Sequence, residues 1–549
     1  MLPGVTVDRD VTCRVADGTA LRADVYRPDG TGPRPALLLR LPYGKTAADS
    51  DVAFAHPAWL AAQGFLVVVQ DTRGRWSSDG VFYPFRDEAA DGQATVEWAS
   101  ALPGCDGRVV SYGFSYPGLI QLLAAARRPR GLVGVSPAFT AGQARDGWAY
   151  QGGALSGFTV EWATELALDG ARRAGDHDSF RSLRAQLAGA DAWNLTPEAD
   201  AAVRKYSGWL DDWCTPSPAG NVEVAYGDID VPALHAGGWW DRFARGTIGN
   251  FRGLRSAAAT TEARDGQRLV MGPWRHMPWS PVPEPGPSGR DVVDLHLAWW
   301  RQLLYGEPAP LLRDPVRAWV TGLGWRTYPA WPPRAETARW YLGSAGRAAT
   351  RFGDGTLSDQ PGGLPDVLPY DPWLARPREG GHGCCLAGVT PMGPACQCAA
   401  EESPTVLVYT SDPLPAPAIL AGDVAAEIWM AADAPSADVC ARLCVVSGDG
   451  CSENLLEGIV RTYRGDSPST VPVRHVVDLG PVARRLERGE RLRLQLSGSD
   501  HPLWDLNLTT GEPWSPRRAS FGGLATQVFY HDAAHPSALL LPIEPEDAP

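Results

Sequence analysis

Short apolar runs alternate with helix-length stretches along the first third of the chain. Ala36-Leu37-Leu38-Leu39-Arg40, ending at Pro42, is one run, and Phe65-Leu66-Val67-Val68-Val69, ending at Asp71-Thr72-Arg73-Gly74, is the next. Arg108-Val109-Val110-Ser111-Tyr112 and Leu132-Val133-Gly134-Val135 follow. Between them, Glu88 to Ser100 and Pro117 to Arg127 read as helices. Fully apolar strands separated by helices predict a parallel sheet covered on both faces. From about Gly142 to Val224 the pattern turns helical and rich in tryptophan, with no convincing strand. Strands return at Val231-Pro232-Ala233-Leu234-His235 and Arg268-Leu269-Val270-Met271, and a helix is expected from Val292 to Tyr305. A helical insertion within one sheet is the simplest reading. Pro281 to Pro287 reads as a surface loop.

From about Ala318 the period changes to two. Leu492, Leu494 and Leu496 alternate with Arg491, Arg493 and Gln495, and Val424, Ala426, Ile428 and Met430 repeat the pattern. That predicts an antiparallel β-sandwich. The expected fold class is therefore α/β. An α/β domain takes residues 1–141 and 225–317, a helical cap 142–224, and a C-terminal β-domain 318–549.

A chain of 549 residues is too long for one core, which agrees with several domains. Its net charge of -13 argues against a nucleic-acid or anionic-membrane partner. No apolar run reaches the roughly 18 residues of a membrane span. Residues 1–8 lack the basic and apolar regions of a secretory signal, so the expected location is the cytoplasm. Cys384, Cys385, Cys396 and Cys398 cluster near His382, but a vicinal pair and a Cys-x-Cys fit zinc spacing poorly. Reduced thiols and no metal or other cofactor are expected.

The chemistry centres on Gly113-Phe114-Ser115-Tyr116-Pro117-Gly118. A serine hydroxyl needs a base, a group to orient that base, and donors for the oxyanion. In α/β-hydrolases it sits on a sharp strand-to-helix turn, which is what Arg108 to Pro117 spells. The general pattern is Gly-x-Ser-x-Gly, and here Pro117 stands at the second glycine. With 60 glycines in the chain the bare pattern arises easily by chance. Chain order adds weight. Acid and histidine should follow on loops after later strands. Asp241 follows the strand through His235, and His276 follows the strand through Met271. His235 lies inside a strand, as core, and Asp228 and Asp230 lie at the wrong end of theirs. The remaining histidines lack this placement.

With these residues in hand, the sequence resembles the cocaine esterase-like serine hydrolases, relatives of the X-Pro dipeptidyl-peptidases and α-amino acid ester hydrolases. The elbow Gly-x-Ser-Tyr-x-Gly is the family's own. Further matching stretches are Ala23-Asp24-Val25-Tyr26-Arg27-Pro28, Gln70-Asp71-Thr72-Arg73-Gly74-Arg75, Gly238-Trp239-Trp240-Asp241, Gly272-Pro273-Trp274-Arg275-His276, Glu457-Gly458-Ile459-Val460-Arg461 and His535-Pro536-Ser537. The resemblance implies an α/β-hydrolase core, an inserted cap and a C-terminal jelly-roll domain. It implies an oxyanion hole from the Tyr43 hydroxyl and the backbone N–H of Tyr116. It also implies an acyl pocket walled by Trp148, Trp162 and Phe243, and closed by the loop carrying Cys384 and Cys385. Relatives that act on α-amino substrates use acidic residues near the site. Here Asp241 is followed by Arg242-Phe243-Ala244-Arg245, so a free amino group is not expected to be required. Arg242 itself is expected to be solvated or paired, with recognition of an anionic substrate the alternative.

The leading expectation is an esterase or amidase that acts on a small-molecule ester or amide through an acyl-enzyme on Ser115. The alternatives are an acyltransferase that passes the same acyl group to an amine or alcohol, and a non-catalytic binding protein. A second copy of the chain is an allowed partner.

Overall fold

The computed structural model of the chain describes residues 4–30, 32–49, 55–189, 195–215, 221–277, 289–374, 379–384, 392–463, 469–512 and 522–544. The expected loop at Pro281 to Pro287 lies outside them.

The first sheet has ten strands: β1 (Val5–Arg14), β2 (Ala20–Pro28), β3 (Arg34–Leu41), β4 (Leu66–Asp71), β5 (Cys105–Phe114), β6 (Leu132–Ala138), β7 (Leu234–Trp240), β8 (Arg268–Arg275), β9 (Val316–Val320) and β10 (Gly324–Tyr328). Their order across the sheet is β1-β2-β4-β3-β5-β6-β7-β8-β9-β10. From β4 to β9 every pairing is parallel. The apolar runs read from the sequence overlap these parallel strands, although β4 begins after Phe65 and β7 begins only at Leu234, past Val231-Pro232-Ala233. Helices α1 (Pro57–Ala62), α2 (Glu88–Ser100) and α3 (Tyr116–Ala125) lie between the early strands in the chain. Chain order reverses across the sheet between β3 and β5, and ligand sites of open α/β sheets form in the crevice beyond such a reversal.

Two features of the sheet lay outside the sequence reading. An antiparallel pair, β1 and β2, is added at one edge. At the other edge the sheet continues past residue 317, because β10 pairs antiparallel with β9. The boundary expected at 317/318 therefore falls inside β9.

Between β6 and β7 lie helices α4 (Phe158–Arg173), α5 (His177–Leu187), α6 (Pro197–Tyr206) and α7 (Trp209–Trp213), preceded by a small hairpin of Tyr150–Gln151 against Ala154–Leu155. Apolar faces on α4 and α6, with Trp209 and Trp213, fill a core with the residues around the elbow. Helices α8 (Ala244–Ala257), α9 (Thr261–Asp265) and α10 (Gly289–Tyr305) complete the layers. The C-terminal β-domain is a jelly-roll sandwich of mostly antiparallel strands. Its second core includes Val424, Ile428, Leu443, Leu494 and Leu541, all essentially unexposed.

Backbone bonds join this domain to the cap, and the cap's Leu155 N–H donates at 2.8 Å to Asp505, a member of a buried ion cluster inside the β-domain. Arg461 donates to the Gly152 carbonyl (2.7 Å), Gly157 to the Leu503 carbonyl (2.8 Å) and Asp505 to the Leu155 carbonyl (2.9 Å). The Arg461 guanidinium pairs with Asp438 at 2.7 Å and with Asp505 at 2.6 Å. Burial pushes the Asp505 carboxyl up to about 6, even with that guanidinium beside it. Gly152 is in the left-handed region (φ 54°), and a Cβ there would lie 1.9 Å from the Ile459 carbonyl oxygen.

Removing one partner from a buried cluster leaves the other charges uncompensated, which typically costs about 3–5 kcal/mol. Arg461→Met is therefore expected to lower the melting temperature and to raise proteolytic sensitivity at the hairpin around Gly152. Limited proteolysis with thermal denaturation checks this. An unchanged melt would mean the cluster does not hold the two domains together.

Candidate active site

The elbow is made by three residues with unusual demands. Gly113 has φ 137°, and a Cβ on it would lie 2.5 Å from Pro117 Cβ and 2.8 Å from Leu39 Cδ1. Ser115 itself sits at φ 64°, ψ -128°. A non-glycine residue in such a region typically stores 1–3 kcal/mol of strain. Gly118 lies on the first turn of α3, where a Cβ would lie 2.7 Å from Thr140 Cβ and 2.9 Å from the Ala138 carbonyl oxygen. The helix can therefore approach β6 closely only with glycine at that position. Pro117 occupies the first helical turn, where its missing N–H costs nothing.

The surroundings lock the turn. Ser115 N–H donates to the Ala138 carbonyl at 2.9 Å. Thr140 Oγ1 donates to the Ser115 carbonyl at 2.8 Å. Tyr116 is fully buried, and its hydroxyl accepts from Phe85 N–H (3.0 Å) and donates to Glu88 (2.9 Å). Glu88 in turn pairs with Arg40 at 2.8 Å, and Arg40 donates to Gln70 at 2.9 Å. Burial raises both the Glu88 carboxyl and the Tyr116 phenol. The Tyr116 ring thus serves the scaffold. Its backbone N–H, at the start of α3, has no acceptor within the helix.

His276 and Asp241 arrive from neighbouring strands. Strands β7 and β8 run in parallel register through Gly238 opposite Gly272, after which the register shifts between Gly272 and Arg275. Gly238 lies so close to β8 that a Cβ on it would be 2.1 Å from the Trp274 carbonyl oxygen. The two chain ends converge there. His276 Nδ1 lies 2.9 Å from Asp241 Oδ1, and His276 Nε2 lies 3.1 Å from Ser115 Oγ. Asp241 and His276 are both buried, at 1% and 3% exposure, while Ser115 is half-buried. With the carboxylate on Nδ1, that nitrogen carries the proton and Nε2 is the acceptor facing Ser115. The imidazole also lies against the rings of Phe243 (5.3 Å) and Phe114 (5.8 Å). His235, by contrast, is core. It is unexposed and bound to Gln267 at 3.0 Å, and burial lowers its imidazole to about 4.

The aromatic residues named from the sequence come together beside this relay. Trp148 stacks on Phe243 (4.7 Å) and lies 5.7 Å from Trp162. Trp162 Nε1 donates to the Tyr43 hydroxyl at 3.2 Å. Leu503 and Trp504 from the β-domain join the same apolar cluster, and Met392 packs on it. Nothing in the sequence singled out these three. Cys384 is buried near the Arg242 guanidinium. Cys385 lies outside the described residues.

Two motif stretches matched earlier without a role now have one. Asp71 accepts from Lys45 N–H at 2.6 Å, two residues past Tyr43. The buried Arg75 donates to the Pro42 carbonyl and to the Leu166 carbonyl of α4, both at 2.9 Å. Together they fasten the Tyr43 loop to the sheet and to the cap. Likewise Glu457 accepts from the His382 backbone N–H (2.5 Å) and from its ring (2.8 Å), and the ring stacks on Trp240, next to Asp241. Arg242 corrects the expectation of a solvated or paired cation. It donates to the Trp148 carbonyl at 2.7 Å and lies over the Phe158 ring, and burial lowers its guanidinium to about 10.

Among the described residues, no group of three or more His, Cys, Asp or Glu side chains is arranged to hold a metal ion. No helix among them is long and apolar enough to cross a membrane.

Residues 17–278 match the family model described as X-Pro dipeptidyl-peptidase (S15 family), and residues 312–540 match the X-Pro dipeptidyl-peptidase C-terminal non-catalytic domain. The chain is 31% identical to the cocaine esterase of Rhodococcus sp. (strain MB1 Bresler), over 98% of each sequence. It superposes with a TM-score of 0.76 on an aminopeptidase from a marine sediment Thaumarchaeota archaeon, at 20% identity, covering 98% of this chain and 96% of that one. A CocE/NonD family hydrolase from Staphylococcus aureus gives a TM-score of 0.70 at 17% identity, with 98% and 94% covered.

Overpacking at a closed site typically costs 1–3 kcal/mol. Gly118→Ala is expected to lower both stability by about that amount and turnover by at least tenfold, since α3 must retreat from Thr140 and take Ser115 with it. Normal turnover in a folded Gly118→Ala protein would contradict this account of the elbow.

Proposed function

The chain belongs to the cocaine esterase-like branch of the X-Pro dipeptidyl-peptidase S15 family and is a serine hydrolase, and from that premise we propose that it cleaves a small-molecule ester or amide through an acyl-enzyme on Ser115. The observation that carries the proposal is the relay from Ser115 Oγ to His276 Nε2, and from His276 Nδ1 to Asp241, at 3.1 and 2.9 Å. Ser115 attacks the substrate carbonyl and its proton passes to His276. Asp241 fixes the tautomer and stabilises the imidazolium. The oxyanion is received by the Tyr43 hydroxyl and the Tyr116 N–H. His276 then protonates the leaving group, and water releases the acid by the same route in reverse.

The acyl group is assigned to the space bounded by Trp148, Trp162 and Phe243, with the loop carrying Cys384 as its lid. Aromatic walls favour a planar or compact apolar acyl group. The cation after Asp241 is bound to the Trp148 carbonyl, which supports a site with no requirement for a substrate ammonium group. The likeness to an enzyme named as a cocaine esterase makes esters the first class to assay.

Asp241→Asn and His276→Ala are each expected to lower kcat about ten-thousandfold with an unchanged melting temperature. Retained turnover in either would remove the triad assignment. Tyr43→Phe is expected to lower kcat by about 10²–10³-fold with little change in KM, the signature of a donor used in the transition state. A change in KM alone would make Tyr43 a binding residue. Adding an amine during turnover and finding amide in excess of acid would identify acyl transfer as the reaction instead.

A further inference from the structure

One tryptophan of the cap is set apart from its neighbours by where its N–H points. Trp162 sits on α4 at 5% exposure. Its ring lies 5.2 Å from Trp209, 5.7 Å from Trp148, and 6.0 Å from both Trp213 and Tyr116. Trp148, Trp209 and Trp504 belong to the same cluster, and their buried indole N–H groups have no hydrogen-bond partner among the described residues. Packing in this cluster therefore does not by itself require a paired indole. Trp162 differs, because its Nε1–H donates to the Tyr43 hydroxyl oxygen at 3.2 Å.

That contact is braced from both sides. The surrounding rings fix the indole on α4. The Tyr43 loop is fixed by Lys45 N–H, which donates to Asp71 at 2.6 Å, and by Gly44 (φ 98°), where a Cβ would lie 2.6 Å from the Trp76 ring. Arg75 spans the two. It donates to the carbonyl of Pro42, just before Tyr43, and to that of Leu166, one turn beyond Trp162, both at 2.9 Å. It also pairs with Asp169 of α4 at 3.3 Å. One buried guanidinium thus holds Tyr43 and Trp162 in register with each other.

A phenolic hydroxyl has one proton to donate and lone pairs with which to accept. When its oxygen accepts from one side, its own O–H turns to the other. Accepting also polarises the hydroxyl and strengthens its donation, more so in a site shielded from water. A donor to a developing oxyanion acts through being oriented beforehand, and a hydroxyl left free to rotate loses part of that advantage.

We propose that Trp162 is a positioning residue of the oxyanion hole: its indole N–H holds the Tyr43 oxygen so that the phenolic proton is presented to the oxygen of the carbonyl under attack. The proposal rests on the assignment of Tyr43 to that hole. It gives one side chain two separable parts, a ring that bounds the acyl group and an N–H that acts through Tyr43.

The test is a double-mutant cycle with 4-nitrophenyl acetate, whose acetyl group makes the least use of an aromatic wall. Trp162→Phe keeps a ring and removes the N–H. Replacing Trp162 with its benzothienyl isostere, inserted site-specifically in the full chain, removes the N–H and keeps the size. Each change is expected to lower kcat about tenfold, the equivalent of one ordinary hydrogen bond, with KM changed by less than about twofold. In the Tyr43→Phe background there is no hydroxyl to position, and each is expected to change kcat by less than about twofold. An isostere with wild-type kcat, or a loss of equal size in both backgrounds, would overturn the proposal and leave Tyr43 in the oxyanion hole. A Tyr43→Phe protein with wild-type kcat would overturn that assignment and the proposal with it.

Discussion

The left-handed backbone at Ser115 is the constraint on which the rest depends. At φ 64° the residue holds its hydroxyl clear of both strand and helix, a conformation an isolated chain would leave. Small residues on both sides permit it and hydrogen bonds enforce it. Gly113 lets Pro117 and Leu39 close over the turn, and Gly118 lets α3 sit against Thr140. The bonds from Ser115 N–H to Ala138 and from Thr140 to the Ser115 carbonyl then tie the turn to β6. The strain is balanced by the packing of three strands and a helix rather than by any one contact.

The same logic extends outward. The relay needs β7 and β8 to end together, which the close approach at Gly238 and the register shift before Arg275 provide. The aromatic cluster of Trp148, Trp162 and Phe243 needs the cap and the β-domain to stay docked, since Leu503 and Trp504 belong to the same cluster. That requirement falls on Arg461 with Asp438 and Asp505, on Arg75 between the Tyr43 loop and α4, and on His382 with Glu457. Each is a buried or nearly buried charge with its partners in place, which is where electrostatic interactions hold geometry most firmly. Domain docking and catalytic geometry are therefore one problem in this chain. Loosening the β-domain should move the aromatic cluster beside the relay before it moves Ser115.

Much of this was legible in the sequence where the signal is local. The parallel strands announce themselves as apolar runs, and the elbow is written in six consecutive residues. Asp241 and His276 are found because their strands precede them in the expected order. What could not be read depends on contacts between distant segments. Strand β1 mixes polar and apolar residues at a sheet edge, so its burial carries no clean period. Strand β10 belongs to the first sheet only because β9 lies beside it. Arg461 was visible as part of a motif, but its partners Asp438 and Asp505 lie 23 and 44 residues away. Arg242 looked like a surface cation because sequence cannot show a backbone carbonyl and an aromatic face waiting for it. The cysteines misled most: proximity along the chain grouped Cys384 with Cys396, whereas Cys384 is buried near Arg242 and Cys396 is exposed opposite Glu453.

The central claim is that Ser115 becomes covalently acylated during turnover. Intact-mass spectrometry of the quenched enzyme, taken in the first turnovers across a library of aryl and alkyl esters and amides, measures this directly. The account predicts one acyl group per chain with a good substrate, mapped to the peptide holding Ser115 and absent from Ser115→Ala. Turnover without any covalent adduct, or an adduct that maps to another residue and persists in Ser115→Ala, would contradict it.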